Sequence, residues 1–236
     1  GKNPVIVRKH YRNHIDEYKL ITNNFKQPIV KKNRSQGINE AINKNYDLVV
    51  LDDGFQDYQI HKNLSILCFN SYQLVGNSFV FPSGPLRENL SSIKNAQIII
   101  INGNINEEFE KKLYNIKKDI KIFYSEYSAL NLDEFRNKKL FAVAGIGNPE
   151  NFFKILRDNN LNIEREFKYP DHYEFSKSEI DKIVEKAKKE NCQIIMTEKD
   201  FLRIEDLKND IIKFLKIKLE IKDKEKLIEN IIKVVK

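Results

Sequence analysis

Short apolar runs alternate with amphipathic stretches along this chain, and that alternation limits its fold more than any other feature. Residues 4–7 and 97–101 are strand-like, whereas Phe109, Leu113 and Ile116 share the spacing of one helix face. A chain with this alternation forms a parallel sheet whose strands are joined by right-handed crossover helices. The sequence therefore predicts an α/β fold.

The apolar run Leu48–Leu51 is predicted to be a strand buried on both faces of the sheet. It is followed directly by Asp52, Asp53 and Gly54, and ligands bind beyond the carboxyl ends of such strands. Carboxylate oxygens suit Mg²⁺ bound with a nucleotide. Asp-Asp-Gly is also an ordinary turn sequence, and taken alone these three residues favour the turn.

The second half of the chain repeats the alternation after a polar stretch at residues 125–139. That stretch is a candidate boundary, so we predict two domains, residues 1–135 and 136–236. In the second domain, Ser176 and Glu179 have the spacing of a capping box and predict the start of a helix.

Composition narrows the class of partner. The net charge of +7 suits an anionic partner, but the lysines are scattered and no arginine-rich block occurs, so nucleic-acid binding is not expected.

Cys68 and Cys192 lie in or beside apolar runs, which fits a reducing compartment and no disulfide framework. No apolar run is long enough to span a bilayer.

Five motifs follow one another along the chain: DDGFQ (52–56), PSGPLRE (82–88), AGIGNPE (144–150), PDHY (170–173) and TEKD (197–200). In this order and at these separations they resemble the tetraacyldisaccharide 4′-kinases, the lipid A 4′-kinases of Gram-negative bacteria. The resemblance extends from about Pro4 to about Ile204. Each motif alone is weak, but their joint occurrence is very specific.

The resemblance implies a fold, an activity and a location. The fold would be a parallel α/β/α sandwich related to P-loop NTPases, N-terminally truncated, followed by a second, smaller Rossmann-like α/β domain. The activity would transfer the γ-phosphoryl group of ATP, with Mg²⁺, to the 4′-hydroxyl of a tetraacyldisaccharide 1-phosphate and give lipid IVA. The partners would be this lipid disaccharide and, through peripheral contact, the cytoplasmic face of the bacterial inner membrane.

The resemblance also implies roles for individual residues. Asp16 would be the base that accepts the proton of the sugar hydroxyl, and His172 would support it. Asp52 and Asp53 would serve Mg²⁺. The residues implied in substrate binding are Arg34, which would meet the 1-phosphate, and Gln56, Asn77, Arg87 and Glu88, which would shape the disaccharide pocket.

Structural interpretations of the same residues stay open at this point. Asp16 is also typical of a surface acid, Arg34 of a solvated helix start, and His172 of a turn after Pro-Asp. Gly145 and Gly147 predict a strand-to-helix turn.

Two further segments close the second domain. Residues 197–200 either match the family motif or form a helix cap. A short helix is predicted near Leu207, and an amphipathic helix ends the chain.

The chain contains no phosphate-cradling sequence of the form G-x-x-x-x-G-K-[ST], so its nucleotide-binding residues are unknown. In the 4′-kinases a phosphate loop precedes a strand ending in Ser-Arg-Gly-Tyr, whose counterpart is residues 7–11. We therefore expect an N-terminally truncated chain or a fragment that is inactive by itself. The chain departs from the family pattern at His10, Ile15 and Asp57, where the family has Gly, Gly and His.

Two alternative functions remain open from the sequence. One is a nucleotide-cofactor oxidoreductase that uses Gly145-Ile146-Gly147 as a dinucleotide-binding turn, although Glu150 stands where that pattern has its third glycine. The other is a non-catalytic fragment that binds an anionic lipid or a partner protein.

Overall fold

A computed structural model describes residues 2–11, 15–25, 27–204, 207 and 209–235. The strands are β1 (Pro4–Lys9), β2 (Ile29–Lys31), β3 (Leu48–Leu51), β4 (Ile66–Asn70), β5 (Ile98–Asn102), β6 (Lys121–Ala129), β7 (Lys139–Ala144), β8 (Asn162–Lys168), β9 (Cys192–Thr197), β10 (Ile212–Leu215) and β11 (Ile217–Ile221). The α-helices are α1 (Ile15–Asn24), α2 (Arg34–Asn43), α3 (Glu107–Ile116), α4 (Pro149–Asp158), α5 (Lys177–Lys189), α6 (Glu198–Arg203) and α7 (Lys224–Val235). Short 3-10 helices occur at Leu90–Asn95 and Leu132–Glu134.

The described residues form two compact units, each assembled from separate stretches of chain. The first unit comprises residues 2, 51–128 and 219–235, and the second unit comprises residues 3–50 and 129–218. One unit boundary falls inside the polar stretch that the sequence marks, but residues 3–50 belong with the second unit. The division into domains 1–135 and 136–236 stays a prediction.

The first unit is built on one sheet with the strand order β11-β6-β5-β4. Strands β4, β5 and β6 pair in parallel, and Ile99 and Ile101 of β5 are fully buried. Helix α3 covers this sheet with Phe109 and Leu113. The helix begins at Asn106, whose side chain accepts a hydrogen bond from Phe109 N at 2.8 Å.

The second unit contains two sheets, with the strand orders β2-β1-β3 and β10-β9-β7-β8. Strand β7 pairs in parallel with both β8 and β9, and residues 140–144 are all buried, as expected for a central strand with both faces covered. The predicted capping box at Ser176 and Glu179 is present and starts α5. The buried face of α5 consists of the apolar residues Ile180, Ile183, Val184 and Ala187.

One expectation about local structure is wrong, and one helix is missing from the predicted elements. Strand β3 is not buried on both faces, because it lies at the end of a three-stranded sheet, and Val50 is 49% exposed. Helix α1 has no counterpart among the predicted elements. The short helix expected near Leu207 agrees with the 3-10 conformation of Leu207 itself, and α6 is a separate helix that ends before it, at Arg203, and is capped by Thr197 directly after β9.

Within the described residues, no helix is both long enough and apolar enough to cross a membrane.

Candidate functional site

Two carboxylates follow β3, and the second of them contacts another sequence motif. Asp53 has a φ of +53°, a left-handed conformation that costs a non-glycine residue of the order of 1–2 kcal/mol. Its Oδ1 accepts a hydrogen bond from Arg87 Nη1 at 2.6 Å. This contact joins the DDGFQ and PSGPLRE motifs within the first unit, as their assignment to one site requires.

Asn77 organises the loop that leads to Arg87. Its side chain accepts a hydrogen bond from Phe79 N at 3.1 Å and donates one to the carbonyl of Ser83 at 2.8 Å. A Cβ on Gly84 would lie 2.1 Å from Asn77 Oδ1, so only glycine fits this turn. Asn77 therefore builds the loop, and its predicted contact with substrate stays a prediction.

Glu88 and Gln56 lie in the same loops of the first unit. Tyr58 donates its hydroxyl proton to Glu88 Oε2 at 2.5 Å, a hydrogen bond that raises the pKa of the tyrosine. Gln56 is exposed, and its carbonyl accepts from Tyr58 N at 3.1 Å. Glu88 also lines an open groove together with Lys94. These loops present polar groups to solvent, as a disaccharide-binding surface would.

Asp52 and Asp53 are the carboxylates predicted to hold Mg²⁺. In the part of the chain that the structure describes, no three His, Cys, Asp or Glu side chains are grouped so that they could hold a metal ion. Mg²⁺ usually takes only one or two protein carboxylates and completes its shell with water and substrate phosphates. The pair thus fits a metal site shared with a nucleotide, and Arg87 supplies a cation to Asp53 in this structure.

A buried hydrogen-bonded cluster occupies the second unit at the start of α6. Asp200 is completely buried. Its Oδ2 accepts hydrogen bonds from Gly145 N at 3.0 Å and from Thr197 Oγ1 at 2.6 Å. Its Oδ1 accepts from Arg203 Nη1 at 2.8 Å. Burial of a carboxylate is unfavourable unless it is paired in this way. The hydrogen bond between Gly145 and Asp200 therefore fixes the AGIGNPE motif against the TEKD motif.

His172 lies beside this cluster. Its Nδ1 is 3.3 Å from Arg203 Nη2, and its backbone N donates to Asp171 Oδ1 at 3.0 Å. The residue has a φ of +57°, a strained conformation of the kind that concentrates at functional sites. The turn after Pro-Asp is therefore present, and the catalytic role of His172 stays a prediction.

Asp16 lies in the first turn of α1, and its side chain is outside the described part of the chain. The adjacent Glu17 accepts a hydrogen bond from Arg8 of β1 and lies 3.3 Å from Lys199 Nζ of α6. Helices α1 and α6 pack against each other. The backbone that carries the candidate base is therefore anchored to the same short helix that holds His172.

Arg34 is the first residue of α2 and is only 6% exposed. The interpretation of Arg34 as a solvated helix-start residue is therefore wrong. A buried guanidinium needs hydrogen-bonding partners, so its position is fixed by the fold.

Sequence reasoning missed the role of Arg203. The signal available was its spacing from Asp200: residues at i and i+3 on a helix are neighbours that can pair. The helix-cap interpretation of Thr197 is confirmed, because its side chain accepts from Asp200 N at 3.2 Å. The predicted strand-to-helix turn is also confirmed, since Gly145 and Gly147 lie between β7 and α4.

A model of the family described as tetraacyldisaccharide-1-P 4′-kinase, LpxK, matches residues 2–236. The chain belongs to this family. The resemblance seen in the five motifs is thereby confirmed. The members of the LpxK family are 4′-kinases, so the expected enzyme class, a phosphotransferase that uses ATP, is the class of this family.

Individual relatives support the same assignment. The tetraacyldisaccharide 4′-kinase of Pelagibacter ubique (strain HTCC1062) is 38% identical over 234 residues, which cover 96% of this chain and 73% of that protein. The tetraacyldisaccharide 4′-kinase of Haemophilus influenzae (strain 86-028NP) is 34% identical over 224 residues, which cover 92% of this chain and 63% of that protein. The chain thus spans about 63–73% of the length of these two LpxK proteins.

A solved structure has the same fold. The crystal structure of the "apo" form of LpxK from Aquifex aeolicus in complex with ATP superposes with a TM-score of 0.72 and 20% sequence identity. The superposition covers 100% of this chain and 80% of that chain. Together with the parallel strand pairing, this confirms the expected P-loop-related α/β fold.

Proposed function

We propose that this chain forms part of a tetraacyldisaccharide 4′-kinase that phosphorylates the 4′-hydroxyl of a tetraacyldisaccharide 1-phosphate and gives lipid IVA. The observation that carries the proposal is the family match over residues 2–236. The pairing of separate motifs supports it, because Asp53 contacts Arg87 in the first unit and Asp200 contacts Gly145 in the second.

Proton transfer is assigned to the second unit. Asp16 would accept the proton of the 4′-hydroxyl as its oxygen attacks the γ-phosphorus of ATP. His172 would orient and support that carboxylate. The anchoring of α1 to α6 through Glu17 and Lys199 supports this role, because a general base must be held within hydrogen-bond reach of the proton it removes.

The binding of Mg²⁺ and of the nucleotide phosphates is assigned to the first unit. Asp52 and Asp53 would hold Mg²⁺, which neutralises charge on the nucleotide phosphates when it is bound. Arg87 can take over the interaction with Asp53 when no metal is present, because its guanidinium already lies 2.6 Å from that carboxylate.

Five residues are assigned to substrate binding. Arg34 would offer the 1-phosphate a guanidinium whose place is fixed by burial. Gln56, Asn77, Arg87 and Glu88 would contact the disaccharide from the exposed loops of the first unit.

The geometry of Gly145 argues against a dinucleotide-binding oxidoreductase. A dinucleotide turn offers backbone N–H groups to a pyrophosphate, but Gly145 N already donates to Asp200. A Cβ on Gly147 would lie 3.1 Å from Asp171 Oδ2. These glycines allow protein segments to approach each other closely, which explains their presence without a cofactor.

Two finer points belong to the same proposal. The kinase would work in peripheral contact with the cytoplasmic face of the inner membrane, where its lipid substrate lies.

Residues 1–236 alone would not transfer phosphate, because their sequence contains no phosphate loop to supply backbone N–H groups and a lysine to the nucleotide. Loss of even one preorganised donor typically costs about 10²–10³-fold in rate.

The test is a phosphoryl-transfer assay with ATP, Mg²⁺ and a tetraacyldisaccharide 1-phosphate in mixed micelles. Residues 1–236 are compared with a longer protein that carries a family phosphate loop upstream of them. We expect the longer protein to form the bisphosphorylated lipid and residues 1–236 to form none. No product from the longer protein would contradict the kinase assignment, whereas equal activity of the two would contradict only the expected inactivity of residues 1–236.

A further inference from the structure

Helix α6 connects three parts of the second unit that are far apart in sequence. Lys199 at its start contacts Glu17 of α1, Asp200 contacts Gly145 after β7, and Arg203 contacts His172. A helix of this length has little stability by itself, so these contacts must fix its position. In return, one short element fixes the relative positions of α1 and the His172 turn.

Asp200 holds Arg203 in one place. This buried carboxylate accepts two hydrogen bonds at Oδ2 and one from Arg203 Nη1 at Oδ1, at 2.8 Å. The same Nη1 also donates to the carbonyl of Gly145 at 2.8 Å. The Arg203 side chain is only 10% exposed. Two acceptors therefore hold the planar guanidinium at Nη1, and this fixes the direction in which Nη2 points.

The chemistry of the guanidinium then determines the protonation of the imidazole. Every polar hydrogen-bonding atom of an arginine side chain is a donor, and none is an acceptor. Arg203 Nη2 lies 3.3 Å from His172 Nδ1, so Nδ1 must be the accepting nitrogen. A neutral imidazole with an accepting Nδ1 carries its proton on Nε2.

We propose that Arg203, held by Asp200, is a positioning residue that fixes His172 in the Nε2–H tautomer. Asp171 Oδ1 lies 3.9 Å from Nε2 and accepts a hydrogen bond from the His172 backbone N. In this tautomer Nε2–H is a hydrogen-bond donor, the group through which His172 would support a catalytic carboxylate. This consequence for catalysis rests on the proposed function, whereas the tautomer itself does not.

The direct test is a long-range ¹H–¹⁵N correlation spectrum of residues 1–236 labelled with ¹⁵N-histidine. The two ring nitrogens give well-separated signals when only one carries a proton. Spectra are recorded in mildly alkaline buffer, where an imidazole is neutral, and the His172 signals are assigned with His172→Gln. We expect the Nε2–H pattern for His172, and an Nδ1–H pattern would overturn the proposal.

Variants of Arg203 test whether it causes the preference. Arg203→Met removes the donor, and we expect His172 to change to a mixture of tautomers. Because Arg203→Met leaves the Asp200 charge buried without this partner, the double variant Asp200→Asn/Arg203→Met is measured beside it. Arg157→Met is the control, since that arginine pairs with Glu150 and Glu166 on the surface. An unchanged Nε2–H pattern in the folded double variant would overturn the role of Arg203.

A kinetic measurement on the longer protein with the phosphate loop tests the consequence for catalysis. A misplaced catalytic group costs about 10²-fold in rate, so Arg203→Met is expected to lower kcat by about that factor while KM for ATP stays unchanged. Arg203→Lys, which keeps a donor, is expected to recover part of the rate. Normal kcat in a folded Arg203→Met protein would overturn the positioning role, whereas an inactive parent with the Nε2–H pattern would overturn only the proposed kinase function.

Discussion

Two arginine–aspartate ion pairs, one buried in the second unit and one exposed in the first, differ in their surroundings much more than in their geometry. In the second unit, Arg203 and Asp200 meet at 2.8 Å with side chains that are 10% and 0% exposed. In the first unit, Arg87 and Asp53 meet at 2.6 Å with side chains that are 66% and 52% exposed. The buried pair holds its part of the fold together, whereas the exposed pair lies where a ligand can reach it.

The buried pair is costly to break and the exposed pair is not. Removing one partner of a buried pair leaves an uncompensated charge and costs about 3–5 kcal/mol, whereas an exposed pair contributes about 0–1 kcal/mol. The proposed exchange of Arg87 for a metal ion at Asp53 would therefore cost the fold little. Asp200 cannot leave Arg203 without disrupting the second unit, which suits a scaffold for His172.

The largest effect is expected from the candidate base in the second unit. Asp16→Asn, in a protein that carries a phosphate loop upstream of this chain, should lower kcat by about 10²–10⁴-fold, because an amide cannot accept the proton. Steady-state kinetics with the lipid substrate measure this, and KM for ATP should change little. Asp158→Asn, an exposed residue of α4, is the control. Near-normal turnover of Asp16→Asn would remove the assignment.

The contrast between the two ion pairs can be tested by stability alone. Asp200→Ala should lower the free energy of unfolding by about 3–5 kcal/mol, because Arg203 and the N–H of Gly145 lose a buried acceptor. Asp53→Ala should lower it by no more than about 1 kcal/mol. Urea denaturation of residues 1–236 measures both values. Equal losses in the two variants would show that burial does not distinguish the pairs.

Local sequence was enough to predict elements whose stabilising contacts are themselves local. The capping box of α5 and the apolar face formed by Ile180 and Val184 depend on residues three or four positions apart. The turn at Gly145 follows from a strand end and a glycine. In each case the physical cause lies within one element or its immediate flank.

What the sequence did not predict depends on distant contacts. The burial of Asp200 and its pairing with Gly145 join residues 55 positions apart, and no local pattern indicates them. The exposure of Val50 follows from the sheet order β2-β1-β3, which a run of apolar residues cannot reveal. The motif resemblance indicated which residues matter, and the structure indicates which of them hold the others in place.

The smallest effect is expected at the cap of α5. Hydrogen bonds from the side chains of Ser176 and Tyr173 lower the pKa of Glu179 from 4.5 to about 2. A carboxyl group with a lowered folded-state pKa stabilises the fold above its unfolded value, and this contribution is lost as pH falls from about 4.5 to about 2. Glu179→Gln should therefore reduce the acid-induced loss of stability in that window. Tm measured across this pH range checks it, with Glu185→Gln on the exposed face of α5 as the control. An unchanged acid profile for Glu179→Gln would contradict the assignment.

The most direct test of the account compares His172→Ala with Asp53→Ala in the protein that carries the phosphate loop. Both kcat and the magnesium concentration that gives half-maximal activity are measured. We predict that His172→Ala lowers kcat by about 10²-fold or more without changing the magnesium dependence. We predict that Asp53→Ala raises the magnesium requirement. Normal kcat in His172→Ala, or the same magnesium dependence in Asp53→Ala as in the unsubstituted protein, would contradict the proposed division of roles.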